Sequence, residues 1–201
     1  MIGSGSFGNV FEGITSRGRL VAIKQVPHGL IGNGDTQQKK MNALKKEIQL
    51  LNSVHHPNIV KYLGTSQDTE HLNVFLEYVA QGSLDAHYKK YDLSEELVVK
   101  YTKQILHGLE YLHFNNIMHR DIKAANILLR GDGSCALADF GSSKKIMEQA
   151  QEKNSFCGTP YWMAPEVVKQ SGYSRFSDIW SLGCTVYELL FKKPPWINIK
   201  N

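Results

Sequence analysis

The chain has 201 residues, 42% of them hydrophobic, and a formal charge of +4. That size and apolar content support a core without disulfides or metal, and the three cysteines, Cys135, Cys157 and Cys184, are odd in number and widely spaced, which argues against a secreted disulfide framework and a CxxC zinc site. The positive charge sits in scattered lysine pairs rather than a stripe, and there is no run of 18 apolar residues and no signal peptide, so the expected protein is soluble and cytoplasmic, with neither a nucleic-acid nor a membrane partner.

The chain opens on GSGSFGNV, Gly3 to Val10, which fits G-x-G-x-x-G-x-V. Glycines in this pattern let a backbone close over phosphates without side-chain clash. A dinucleotide-binding turn would need a helix directly after Gly8 and an acidic residue about 20 positions on; here a strand-like segment follows, and Lys24 stands at that distance. NVFEGI and RLVAIKQV read as antiparallel strands joined by TSRG. Within VAIK, Lys24 can reach nucleotide phosphates, and the plain alternative is a solvated edge lysine. In TQQKKMNALKKEIQLLNSV, Met41, Leu44, Ile48, Leu51 and Val54 recur at helical spacing. Glu47 projects inside that apolar stripe and needs a cation, because a lone carboxylate there is costly. Lys40 is about 10 Å away along the helix axis, too far for a direct pair, so Lys24 is the candidate.

NIVKYLGTS and HLNVFLEYV read as two further strands, and VAQGS at residues 79–83 marks a change from sheet to helix, giving expected units 1–79 and 80–201. SEELVVKYTKQILHGLEYLHF is a buried helix with Ser94 as N-cap. NILLRGDGSCALADF reads as two short strands around an Asp132-Gly133 turn. From Asp139 to Glu166 periodicity fades, which marks a recognition or switching segment. SDIWSLGCTVYELLF is a second helix, apolar on most sides. Between apolar runs lies IMHRDIKAANILL, whose polar groups would each cost about 1 to 3 kcal/mol if left unsatisfied beside a core.

HRDIKAAN, then DFG at residues 139–141, then APE at Ala164 to Glu166, following the glycine loop and VAIK in that order, resemble the serine/threonine protein kinases over essentially the whole chain. The resemblance implies an α+β, two-lobed fold: a small antiparallel sheet with one helix, then a larger, mainly helical lobe, truncated at both ends. It implies ATP and Mg2+ as cofactors and a protein as substrate. Asp121 would accept the acceptor hydroxyl's proton, Lys123 would neutralise charge on the transferring group, and Lys24 paired with Glu47 would hold the α and β phosphates. Asn126 and Asp139 would hold Mg2+.

By the same correspondence the nucleotide would meet Ile2, Gly3, Ser4, Gly5, Ser6, Phe7, Gly8, Val10, Ala22, Leu128 and Ala138, with Leu76 setting depth and Glu77 to Val79 supplying the backbone edge. His119 has no second ligand at metal spacing and is expected to be a packing residue, stacked with Phe140, Leu51 and Tyr62. Arg120 would receive a phosphate on Ser155, with Ser142 and Ser143 as weaker phosphorylation candidates, and the Thr159 hydroxyl would bridge Asp121 and Lys123. The glutamate of APE, Glu166, is expected to lack its arginine partner. HPNIVKYLG, EYVAQGSL and FCGTPYWMAPEVV further resemble the STE group and its MAP kinase kinase kinases, whose implied acceptor is another kinase's activation loop. The alternative is a pseudokinase or scaffold that binds nucleotide without catalysis.

Overall fold

The computed structural model describes residues 1–5, 8–27, 48, 50, 52–139, 143–145 and 158–197. The chain divides into two compact units, Met1–Val79 and Ala80–Asn201, and its composition of a sheet-rich first unit and a mainly helical second makes it an α+β protein.

The first unit is an antiparallel sheet of five strands in the order β1-β2-β3-β5-β4: β1 (Gly3–Gly5), β2 (Gly8–Ile14), β3 (Leu20–Pro27), β4 (Tyr62–Gln67) and β5 (His71–Glu77). The β2–β3 hairpin closes at Thr15–Arg19, where the Arg19 amide donates to Thr15 Oγ1 at 3.0 Å. The glycine-rich segment is itself the edge strand: Gly3 pairs with Val10 and Gly5 with Gly8. No apolar alternation announces that strand, which is why sequence reading treats it as a loop. Between β4 and β5, Asp68 Oδ1 accepts from the amides of Glu70 and His71. The amphipathic helix expected over residues 36–54, including Glu47 and Leu51, lies largely outside the described residues, of which Ile48, Leu50, Asn52 and Ser53 are helical.

Among its described residues the second unit is mainly helical. Helix α1 (Leu84–Lys90) is capped by Ser83, and α2 (Glu95–Phe114) by Ser94, whose hydroxyl accepts from the Leu97 amide at 3.3 Å. The α2 stripe Val98, Tyr101, Ile105, Leu109 and Leu112 is buried, the expected result of 3.6-residue periodicity. Strand β6 (Ile117–Met118) pairs with β9 (Lys144–Lys145), and β7 (Ile127–Leu129) with β8 (Cys135–Leu137). One helical turn, α3 (Pro165–Val168), precedes α4 (Arg175–Phe191). Among the described residues no helix is long and apolar enough to cross a membrane.

Candidate active site

In the first unit, strand register sorts the residues. Val10 faces Lys24, which faces Val74, and Glu12 faces Ala22, which faces Leu76. Residues directly opposite share a face, and so do residues two apart on one strand. Val10, Glu12, Ala22, Lys24, Val74 and Leu76 therefore lie on one face of the sheet, four apolar side chains, one carboxylate and one ammonium. Lys24 and Ala22 are buried. Val21 pairs with Glu77 at the end of this ladder, where the Glu77 amide donates to Lys61 O at 2.8 Å. The Ile2 amide donates to Val10 O at 2.8 Å. The two glycines ending the rim differ: a Cβ at Gly8 would sit 2.0 Å from Gln25 O, whereas one at Gly3 meets nothing within 4 Å. Gly8 is demanded by the fold itself. Ser6, Phe7 and Glu47 lie outside the described residues, as does the side chain of Ser4.

In the second unit, the β7–β8 ladder pairs Ile127 with Leu137 and continues one step as Ala138 N donates to Asn126 O at 2.9 Å. This step sets Asn126 opposite Ala138 and beside Asp139. The asparagine's amide nitrogen donates to Asp121 twice, to its backbone oxygen and to Oδ2, both at 2.8 Å. Lys123 Nζ lies 2.9 Å from Asp121 Oδ2 and 2.6 Å from Thr159 Oγ1; the Thr159 hydroxyl in turn donates to Asp121 Oδ1 at 2.8 Å. Asp121, Lys123, Asn126 and Thr159 thus form one hydrogen-bonded cluster. Burial pushes the Asp121 carboxyl upward, but Lys123, Thr159 and Asn126 together outweigh it, and its pKa ends below the ordinary 3.8. Leu128 lies in β7 and forms a bridge with Ser83.

Two backbone amides of the HRDIKAAN run are met from α4. Asp178, fully buried, accepts from His119 N at 3.0 Å, Arg120 N at 2.8 Å, His113 Nε2 at 2.8 Å and Tyr173 OH at 2.9 Å. Arg120 needs that support because its backbone is left-handed, with φ 72°. Its guanidinium lies over the Tyr173 ring, 5.4 Å from the centroid. His119 is buried, with Nε2 3.1 Å from Ala138 O; burial lowers its pKa against the pull of Asp178 and Asp121, so it stays neutral. This fits a packing role, and Phe140 and Leu51 of the expected stack lie outside the described residues.

A second buried acid, Glu188, accepts from the Ala124 amide at 3.1 Å, Trp162 Nε1 at 3.0 Å and Tyr88 OH at 3.1 Å. Its pKa is raised, first by burial. Glu166 is not without a partner: Ser177 Oγ donates to its Oε1 at 2.6 Å. Sequence reading missed Asp178, Glu188 and Ser177 as site residues because they sit in a helix read as apolar on most sides; polar residues recurring on one face of such a helix were the available signal. Ser155 lies outside the described residues.

Asn126 is fitted to a cation. With its amide nitrogen committed to Asp121, its Oδ1 accepts no hydrogen bond among the described residues, and Asp139 follows the residue opposite it. One carboxylate and one amide oxygen suit Mg2+, which keeps waters and phosphate oxygens as its other ligands.

Comparison with known proteins gives a concordant result. The protein kinase domain family matches residues 1–201. The chain is 49% identical over 204 residues to mitogen-activated protein kinase kinase kinase 3 of Arabidopsis thaliana, covering 98% of this chain and 31% of that protein. It is 47% identical to mitogen-activated protein kinase kinase kinase A of Dictyostelium discoideum, covering 99% and 21%, and 50% identical to mitogen-activated protein kinase kinase kinase 1b of Physcomitrium patens, covering 97% and 25%. The chain therefore spans less than a third of the length of these relatives.

Proposed function

The chain belongs to the protein kinase family, and on that premise we propose that it transfers the γ-phosphate of ATP to serine or threonine hydroxyls of proteins, as a cytoplasmic signalling kinase of the MAP kinase kinase kinase type. The observation that carries this reading is the Thr159 hydroxyl held between Asp121 Oδ1 and Lys123 Nζ. An aliphatic alcohol already donates to the carboxylate that would receive an acceptor's proton, and the ammonium that would meet the transferring phosphoryl lies beside both.

The residues divide the work as follows. Lys24 supplies a buried cation for the α and β phosphates; Glu47, the partner expected from the sequence, lies outside the described residues. Ile2, Val10, Ala22, Leu76 and Leu128 offer apolar contact for the base, with Glu77 to Val79 giving backbone hydrogen bonds. Residues Gly3 to Gly8, including Ser4, Gly5, Ser6 and Phe7, cover the phosphates, and the open space at Gly3 leaves room for that approach. Asn126 and Asp139 would hold Mg2+, which would supply positive charge against that of the phosphates. Asp121 orients the acceptor hydroxyl and takes its proton; Asn126 and Lys123 fix the carboxylate's direction. Since phosphoryl transfer draws mainly on positioning and electrostatics, a base with an ordinary or low pKa suffices. Arg120 would receive a phosphate on Ser155, coupling modification of that segment to the cluster at Thr159. By likeness to the relatives, the acceptor lies in the activation loop of another kinase.

Radiolabelled ATP with a generic basic protein acceptor tests the reading. Label transfer is expected from this chain, with a fall of about a hundredfold or more in Asp121→Asn and in Lys24→Arg. Undiminished transfer in Asp121→Asn would remove the mechanism.

A further inference from the structure

The sheet face that carries Val10, Ala22 and Leu76 also carries a carboxylate. Glu12 follows Val10 by two residues on β2 and stands opposite Ala22 on β3; it is exposed, so water meets its charge and no ion pair is demanded. Its partner is two strands away. The Tyr78 hydroxyl donates to the Glu12 carboxylate, and that carboxylate holds the phenol above its ordinary pKa.

Strand register explains the reach. Leu20 pairs with Ile14 on β2 and Val21 with Glu77 on β5, so one further step along the ladder sets Tyr78 opposite Leu20. Residues two apart on a strand share a face, which places Tyr78 on the same side as Leu76, Ala22 and Glu12. Strands β2 and β5 flank β3 and so stand about 10 Å apart, a span that only two long side chains close. Ala22 lies between them, and its single methyl group leaves the way over β3 open.

The tie falls where the chain leaves β5. Residues 77–79 are the segment assigned above to backbone hydrogen bonding with the base. Glu77 secures it on the β4 side, where its amide donates to Lys61 O at 2.8 Å and its Oε2 accepts from Lys61 N at 3.2 Å. Tyr78 secures it on the β2 side. Strand β2 is also the one onto which the glycine-rich rim is paired, Gly3 against Val10 and Gly5 against Gly8. One side-chain hydrogen bond therefore joins the two parts of the sheet that would meet the nucleotide, the rim over its phosphates and the edge along its base.

We propose that Glu12 and Tyr78 are positioning residues for ATP: a brace across β3 that sets the spacing between the glycine-rich rim and residues 77–79. This rests on the kinase reading above. The brace acts through the backbone it ties, and neither side chain has to touch the nucleotide.

The experiment reads Mg2+-ATP binding by calorimetry and turnover by steady-state assay, both on the 201-residue chain. Tyr78→Phe and Glu12→Ala each weaken ATP binding about three- to fivefold, the effect of one hydrogen bond at an exposed site, and raise the ATP KM alike, while the acceptor KM stays within about twofold. Glu12→Gln, whose amide oxygen still accepts from the phenol, binds ATP within about twofold of the unsubstituted chain. The variant carrying both Tyr78→Phe and Glu12→Ala is no weaker than either alone, because the two act through one bond. A brace that served only the sheet would lower the thermal midpoint and leave ATP binding unchanged. That result, additive losses, or Glu12→Gln as weak as Glu12→Ala would each overturn the proposal. If the unsubstituted chain binds ATP but transfers no phosphate, the kinase reading fails by itself, and calorimetry still decides the brace.

Discussion

Burial alone would drive the Asp121 carboxyl upward; the Lys123 ammonium, the Thr159 hydroxyl and the Asn126 amide hold it below 3.8. A carboxyl with a depressed folded pKa contributes stability that is present above its unfolded value and lost as pH falls through the folded one. In the unsubstituted chain the base is therefore ionised throughout the working range, and the rate should be flat on the acid side to about pH 5. Lys123→Met removes the main opposing charge, so the Asp121 carboxyl should titrate higher than in the unsubstituted chain and the acid limb of the residual activity should move up in pH. A pH–rate profile of Lys123→Met with its acid limb unmoved would show that Lys123 does not govern this carboxyl. At the same scale, the motif residues stood out by their order along the chain, and their roles came from likeness to the protein kinases. Thr159 was legible only through family likeness, because nothing local to GTPYWMAPE says that its hydroxyl faces an aspartate 38 residues earlier.

At the scale of elements, helix α4 contributes more to the site than its apolar sequence suggests. Four donors converge on Asp178, two of them backbone amides of the HRD segment. An amide side chain can accept through only one end, so Asp178→Asn leaves two of the four donors facing an NH2 group. The expected loss is about 3 kcal/mol in chemical denaturation, the scale of breaking a buried ionic network, with loss of transfer activity; a change under about 1 kcal/mol would refute the anchoring role. The elements themselves were unevenly readable. Helix α2 announced itself by Ser94 and a clean apolar stripe, and the β7–β8 hairpin by its Asp-Gly turn, realised with Gly133 at φ 73°. Strand β1 has glycines where alternation would be, β9 is a Lys-Lys pair with no apolar signal, and α1 spans only seven residues. In these three the ladder partner or the cap, not intrinsic pattern, fixes the conformation.

At the scale of the whole molecule, one side chain reports on integrity. Cys135 is fully buried, and burial raises its thiol to about 12. At about pH 8 a thiol reagent should modify it only as fast as the second unit opens, the rate rising with denaturant. Site-resolved mass spectrometry is needed, because Cys184 and Cys157 are also present. Modification of Cys135 in native protein as fast as in urea would contradict the buried assignment. A different consequence attends Asp178. The left-handed turn at Arg120 is secured by an acceptor 58 positions further along the chain. While a ribosome is still adding those positions, the finished HRDIKAAN peptide has no template for its shape, and closing so long a span must precede any geometry at the base. Nascent protein would carry every letter of the motif for some seconds before acquiring the arrangement that gives those letters meaning.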